Sequence, residues 1–165
     1  MVNKKWGIAL ACALVAGVVL GVTVFRAPPE DRVKDTLGRF VKAVMVKEGD
    51  TVLSRGGRIK STFKEVVAED VRVTVSEINI RSSGRQHFAE DATKAGLLYQ
   101  SADCELVGMT IKIDPGGTTA KVDATAIVTG VRGGDRKVDK RPVHFLLAKD
   151  GNWRITSIDV RPAEE

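Results

Sequence analysis

Residues 119–160 read TAKVDATAIVTGVRGGDRKVDKRPVHFLLAKDGNWRITSIDV, and this stretch decides the fold. Val122, Ala124, Ala126 and Val128 share one parity while Ile127 and Val131 fall on the other, which predicts a long strand from Thr119 to Val131. Val143, Phe145 and Leu147 alternate in a second strand, and Trp153 to Val160 form a third. Between these two, Lys149-Asp150-Gly151-Asn152 predicts a tight hairpin, because Asp-Gly supplies the positive dihedrals such a turn needs. Gly133-Gly134-Asp135 and the charged run from Arg136 to Arg141 are expected to form a protruding connection. Period-two patterning broken by turn chemistry is the mark of an antiparallel meander with one face buried.

Working upstream, Val107, Met109, Ile111 and Ile113 alternate in a further strand that opens at Cys104 and closes at Asp114-Pro115-Gly116-Gly117. Before it the period changes. Val33, Leu37, Phe40, Val41, Val44 and Met45 make the stripe of an amphipathic helix, with Glu30 and Asp31 placed to suit the positive end of its dipole. Gly49-Asp50 and Gly56-Gly57 read as breaks, and Ile59, Phe63, Val66 and Val67 predict a second, shorter helix between Arg58 and Ala68. Val71, Val73 and Val75 then alternate, while Ile78 and Ile80 lie on the opposite parity, which predicts one strand with a bulge near Ser76-Glu77. Phe88, Ala92, Ala95 and Tyr99 predict a third helix with Phe88 and Tyr99 on one face.

The N-terminal end is of another kind. Trp6 to Phe25 is a run of twenty residues without a charge (WGIALACALVAGVVLGVTVF), which as a helix would span roughly 30 Å, the depth of a bilayer core. Lys4 and Lys5 precede it, so the positive-inside bias places the N-terminus in the cytoplasm and the rest of the chain on the far side. Bulky Phe25 stands where a signal peptide would need a small residue, which favours an uncleaved anchor. Within the run, Gly17 and Gly21 form a G-x-x-x-G that allows two membrane helices to approach closely. Ala27-Pro28-Pro29 ends the helix. The expected organisation is a cytoplasmic stub and anchor over 1–26, a linker over 27–30, an α+β domain over 31–161 and an acidic tail over 162–165. The expected location is a bacterial inner (cytoplasmic) membrane, crossed once, with the C-terminal domain periplasmic or extracellular.

Charge supports the same division. The chain has 165 residues with 26 Lys+Arg against 21 Asp+Glu, and Lys4, Lys5 and Arg26 account for three of the basic groups before any acidic one appears. The remainder is nearly neutral. Arg132, Arg136, Lys137, Lys140 and Arg141 cluster, but Asp135 and Asp139 interleave with them and no aromatic platform accompanies them, so no nucleic-acid partner is expected. Arg55, Arg58 and Lys60 flank Gly56-Gly57 without Walker-type spacing and read as a loop. Cys104 is the only cysteine beyond the apolar run and reads as a small buried residue. With histidine only at His87 and His144, neither in a ligand-like cluster, no metal or other cofactor is expected.

The order helix, short helix, strand, helix and four antiparallel strands, ending in Lys149-Asp150-Gly151-Asn152-Trp153-Arg154-Ile155, resembles the nuclear transport factor 2-like, or cystatin-like, superfamily. The resemblance implies a curved antiparallel sheet packed on about three helices as a cone that encloses a pocket. Members include enzymes, ligand binders and assembly domains, so the fold does not select among them. The isomerase branch sets a carboxylate base against an oxyanion hole of tyrosine and protonated acid. On that pattern Tyr99, Asp103, Asp123 and His144 are the pocket candidates, although Asp123 and His144 alternate with apolar neighbours and are open to a solvent-facing reading. One anchor on a short linker suits docking onto a membrane protein complex or self-association. The plan is similar to that of the exported assembly subunits of type IV secretion systems, whose Asn-Pro-x-Gly turn is absent here. The expectation is therefore a single-pass, membrane-anchored, non-catalytic interaction domain, with a small-ligand pocket or an isomerase-like enzyme as the alternatives.

Overall fold

Pro29 opens helix α1 (Pro29–Val44), where its fixed φ and missing N–H cost nothing, and Glu30 and Asp31 occupy the first turn. The helix buries Val33, Leu37, Phe40 and Val41 on the face the spacing predicted. In the computed structural model, described here for residues 27–76 and 80–163, that face lies on a curved six-stranded sheet. Among the described residues no helix is long and apolar enough to cross a membrane. Trp6–Phe25, with Gly17 and Gly21, lies outside them.

Helix α2 (Val52–Val66) starts well before the predicted Arg58 and runs straight through Gly56-Gly57. Its first turn is held by a capping box: Ser54 N donates to Thr51 Oγ1 at 3.1 Å and Thr51 N donates to Ser54 Oγ at 3.0 Å. Local capping and burial of Ile59, Phe63 and Val66 outweigh the roughly 1 kcal/mol propensity cost of each glycine. The loop reading of Arg55, Arg58 and Lys60 is thereby corrected, since all three are helical.

Strands β1 (Val67–Val75) and β2 (Ile80–Ser83) form an antiparallel hairpin. The parity change between Val75 and Ile80 is thus a chain reversal and not the predicted bulge; Ile78 lies outside the described residues. Helix α3 (Arg85–Ala95) and a short 3-10 turn (Gly96–Leu98) follow, and Tyr99 is already extended, so the third helix ends one turn earlier than its spacing implied. Four long strands complete the chain: β3 (Ser101–Ile113), β4 (Thr119–Arg132), β5 (Asp135–Asp150) and β6 (Asn152–Val160).

The sheet order is β2-β1-β6-β5-β4-β3. All neighbours are antiparallel except β1 and β6, which run parallel with Val73 opposite Ile158. The sheet is therefore mixed, where antiparallel pairing throughout was expected. Alternation along a strand reports which face is buried but carries nothing about the direction of a partner some 80 residues away.

Two further corrections concern β3 and β5. In β3 the register shifts between Val107 and Thr110, where Gly108 takes φ +64. This bulge puts Cys104 and Leu106 on the same face as Met109, Ile111 and Ile113 and turns Val107 away from them. In β5 the charged run is strand: Gly133-Gly134, with φ +59 and +88, makes a two-residue turn, and pairing resumes at once with Arg132 opposite Asp135. The predicted protruding loop is the far end of a hairpin whose ladder is continuous from Thr119↔Ala148 to Arg132↔Asp135.

Candidate functional site

The helices do not fill the hollow of the sheet. Phe40, Val41 and Val44 from α1, Phe88 and Ala92 from α3, and the inner faces of β1 and β3–β6 line an apolar cavity of about 340 Å³ that is open to solvent on one side. This lies at the small end of the roughly 300–1,000 Å³ typical of ligand pockets. A group of phenylalanines builds one side of it. Phe40 stacks on Phe88 with ring centroids 6.0 Å apart and meets the Phe145 edge at 6.3 Å, and Phe63 lies 4.9 Å from Phe88 behind them.

Three polar side chains interrupt the apolar wall: Tyr99, Cys104 and Arg55. Tyr99 stands at the rim, 42% exposed, with its ring against Gly130; a Cβ there would sit 2.7 Å from the ring. The Cys104 thiol is pushed up to about 11, by burial first and then by the neighbouring Asp103 carboxylate. At neutral pH it is a protonated thiol, which fits the reading of a small packing residue.

Arg55 was not foreseen as part of any pocket. It projects from the first turns of α2 and is 5% exposed. Its Nη2 donates to the carbonyls of Val44 at 2.9 Å and Ala92 at 2.8 Å, joining the end of α1 to α3. Three residues on, Arg58 donates to the Met45 carbonyl at 2.9 Å and forms a 2.6 Å ion pair with Asp50. The two guanidiniums thus cap the negative end of α1. The Arg58 hydrogen bond holds Asp50 down at about 2. Burial, and then the like charge of Arg58, lower the proton affinity of Arg55, which nevertheless remains a cation. Among the described residues, Arg55 Nε and Nη1 are buried without a hydrogen-bond acceptor. Gly96 is packed against them so tightly that a Cβ there would lie 2.2 Å from Nη1, so any larger residue would displace the guanidinium from its two carbonyls. The sequence did hold a signal for Arg55: at spacings of four it continues the Ile59 and Phe63 stripe, so a cation occupies a core position of the helix.

The remaining predicted site residues lie elsewhere. Asp103 is exposed on β3, where its Oδ1 accepts from the Cys104 amide at 3.0 Å. Asp123 and His144 face each other across β4 and β5 and are joined through His144 Nδ1 and Asp123 Oδ1. Both stand on the outer face of the sheet, beside Pro142 and Arg161, opposite to the cavity-facing Val143 and Phe145. The structure therefore brings Asp123 and His144 together but separates them from Tyr99. A constellation of tyrosine and carboxylate or histidine within one pocket is not formed by these four residues.

No described protein family matches the sequence. No curated protein matches it either. The fold does have solved counterparts. A nuclear transport factor 2-like protein with a cystatin-like fold from Novosphingobium aromaticivorans is similar with a TM-score of 0.64 at 12% identity, over 99% of this chain and 92% of that one. A nuclear transport factor 2-like superfamily protein from Salmonella enterica serovar Typhimurium gives 0.64 at 16% identity, over 82% of this chain and 92% of the other. A proposed aromatic ring hydroxylase from N. aromaticivorans gives 0.66 at 21%, over 85% and 94%. Helices, mixed sheet and these likenesses together define an α+β fold of the nuclear transport factor 2-like, cystatin-like class.

Proposed function

We propose that the domain binds a small apolar molecule in the cavity between its helices and its sheet, without catalysing a reaction on it. The observation that carries this reading is the cavity itself: about 340 Å³ lined by aliphatic and aromatic side chains, where a domain needing only stability would close its core. Its wall, as described, holds neither a carboxylate nor a histidine, and its thiol is protonated, which leaves no general base facing a bound molecule. The hydroxylase-like counterpart supports a fold that can hold a small aromatic compound; its chemistry is not carried over. Titration of the purified full-length protein with 1-octanol, followed by amide NMR, tests the reading. Saturable shifts at Phe88, Leu106 and Ala126 are expected, and the absence of any saturable shift there would refute it.

A second proposal concerns location. The uncharged run Trp6–Phe25 supports a single membrane anchor that carries the binding domain to the far side of a bacterial inner membrane, where it joins a membrane complex or a second copy of itself. The protein is expected to stay with membranes through a high-salt wash, whereas a mature N-terminus near residue 28 would overturn the anchor. Cross-linking in intact membranes should capture a partner or a dimer, and recovery of monomer alone would count against association.

A further inference from the structure

We propose that the groove where α1, the end of α2 and the start of β6 meet binds a phosphate monoester, held by Arg32, Lys64 and Arg154.

Six arginines among the described residues are buried or half-buried. Four of them donate to a protein acceptor: Arg55 and Arg58 to carbonyls at the end of α1, Arg85 to the Val67 carbonyl and Arg141 to the Asp139 carboxylate. The two that donate to none among the described residues, Arg32 on α1 and Arg154 on β6, line the same groove of about 340 Å³. In both, the Nε–H is covered by neighbouring atoms, while the Nη ends keep accessible surface and have no acceptor. A guanidinium held partly out of water without a counter-ion is costly, and two beside one groove repel each other as well.

Charge selects the class of ligand. The groove is lined by four cations, Arg32, Arg39, Lys64 and Arg154, against two carboxylates, Asp35 and Glu65, which leaves a net charge of +2. Glu65 is paired with Arg39, so the other three cations are left with Asp35 alone. A phosphate monoester carries about −1.5 to −2 at pH 7 on three terminal oxygens, which matches that excess. The donors reach the groove from three different elements, an arrangement better suited to a tetrahedral anion than to a carboxylate with two acceptors in one plane. No residue lines both this groove and the apolar cavity, so the two sites are independent.

Arg32 stands near the start of α1, six residues beyond Arg26, which follows the uncharged run Trp6–Phe25. The ester therefore has two possible sources, a phospholipid headgroup at a membrane surface and a soluble phosphate compound, which share the chemistry that the groove recognises.

Glycerol 1-phosphate and acetate, titrated separately into the full-length protein at neutral pH and followed by NMR, make the test. Glycerol 1-phosphate is expected to bind at least about tenfold more tightly than acetate. It should also move the side-chain N–H resonances of Arg32, Arg154 and Trp153, all of which line the groove. Arg154→Gln should lower that affinity about tenfold or more. Asp35→Asn, by removing a like charge, should raise it about twofold to fivefold, a gain that a purely structural role for the groove would not produce. If Arg154→Gln does not fold, the exposed Lys64→Gln, with an expected loss of about threefold, takes its place. Nanodiscs of phosphatidylcholine with phosphatidic acid, set against phosphatidylcholine alone, identify the source. The same resonances move in the acidic nanodiscs if a headgroup is bound, and only with glycerol 1-phosphate if the ester is soluble. Equal affinities for glycerol 1-phosphate and acetate, an affinity unchanged by these substitutions, or resonances unmoved by either source would overturn the site. The cavity reading stands under any of these outcomes.

Discussion

The two faces of the β4–β5 ladder share one backbone and one register, yet they carry opposite chemistry. Facing the helices are Val122, Ala124, Val143 and Phe145, all buried; alternating with them on the other side are Asp123 and His144, joined to each other in contact with solvent. Nothing in the hydrogen-bonding of the ladder distinguishes the faces. What separates them is the layer of helices on one side, and the contrast shows that function in this fold depends on which side of a strand a residue takes, since a shift of one residue would exchange the sets. The strongest way to break the comparison is at adjacent positions. Phe145 is 2% exposed and Leu146 is 44% exposed. Phe145→Ala should cost about 3–5 kcal/mol in denaturant unfolding, while Leu146→Ala should stay within about 0.5 kcal/mol of wild type. Similar losses at both would mean that the helices do not cover the inner face.

The cavity gives a second contrast. Ala126 faces it, and Thr125 beside it faces outward. Ala126→Phe should fill the space and weaken 1-octanol binding about a hundredfold, a change of about 2.8 kcal/mol. Thr125→Phe, of equal bulk on the outer face, should leave that affinity unchanged. Calorimetric titration of the two variants distinguishes a cavity site from binding to the exposed apolar surface.

A third contrast lies between the two arginines of α2. Among the described residues Arg58 has a counter-ion and Arg55 has none. Asp50 sits near 2 in the folded protein against its ordinary 3.8, so the unfolded chain binds the proton more readily. The pair therefore contributes its full stability above the unfolded value, and that contribution fades as pH falls from about 4 through about 2. Asp50→Asn should cost about 1–2 kcal/mol at neutral pH and nearly nothing at pH 2. A loss of equal size at both pH values would assign Asp50 to loop geometry, through its 2.9 Å bond from the Lys47 amide, and not to the ion pair.

Much of the fold was legible because it rests on local period. The stripe of α1, the parities of β4 and β5 and the Asp150-Gly151 hairpin all follow from side chains that must choose between water and core. The misreadings occur where a longer-range contact decides. Gly56-Gly57 looks like a break until the Thr51–Ser54 box and the approach of Thr93 on α3, 3.6 Å from where a Gly56 Cβ would lie, show why the helix continues. The reversal between Val75 and Ile80 mimics a bulge because both flip parity. The true bulge, at Gly108, was invisible because it depends on the register with β4. For the site, Tyr99 and Cys104 were visible as residues, but their placement around a common cavity was not. Arg55 was noticed only as one of several basic residues, since its burial between the end of α1 and α3 is a property of three dimensions.

The outer pair offers the smallest effect and the sharpest limit on the alternative of an enzyme. Asp123 and His144 have the residue types of an acid–base couple, and they touch. Their side chains are 52% and 34% exposed, so water competes for both and the pair is worth at most about 1 kcal/mol. A double-mutant cycle of Asp123→Asn and His144→Gln should give a coupling below about 1 kcal/mol in unfolding free energy, and neither change should alter 1-octanol affinity. The cavity and this pair stand back to back across one sheet. A substrate held among Phe40, Phe88 and Phe145 would meet the backbone of β4 and β5 before it met either side chain. For the couple to act on it, the strands would have to slip by one residue, which would also drive Phe145 into solvent and remove the cavity in which the substrate was bound.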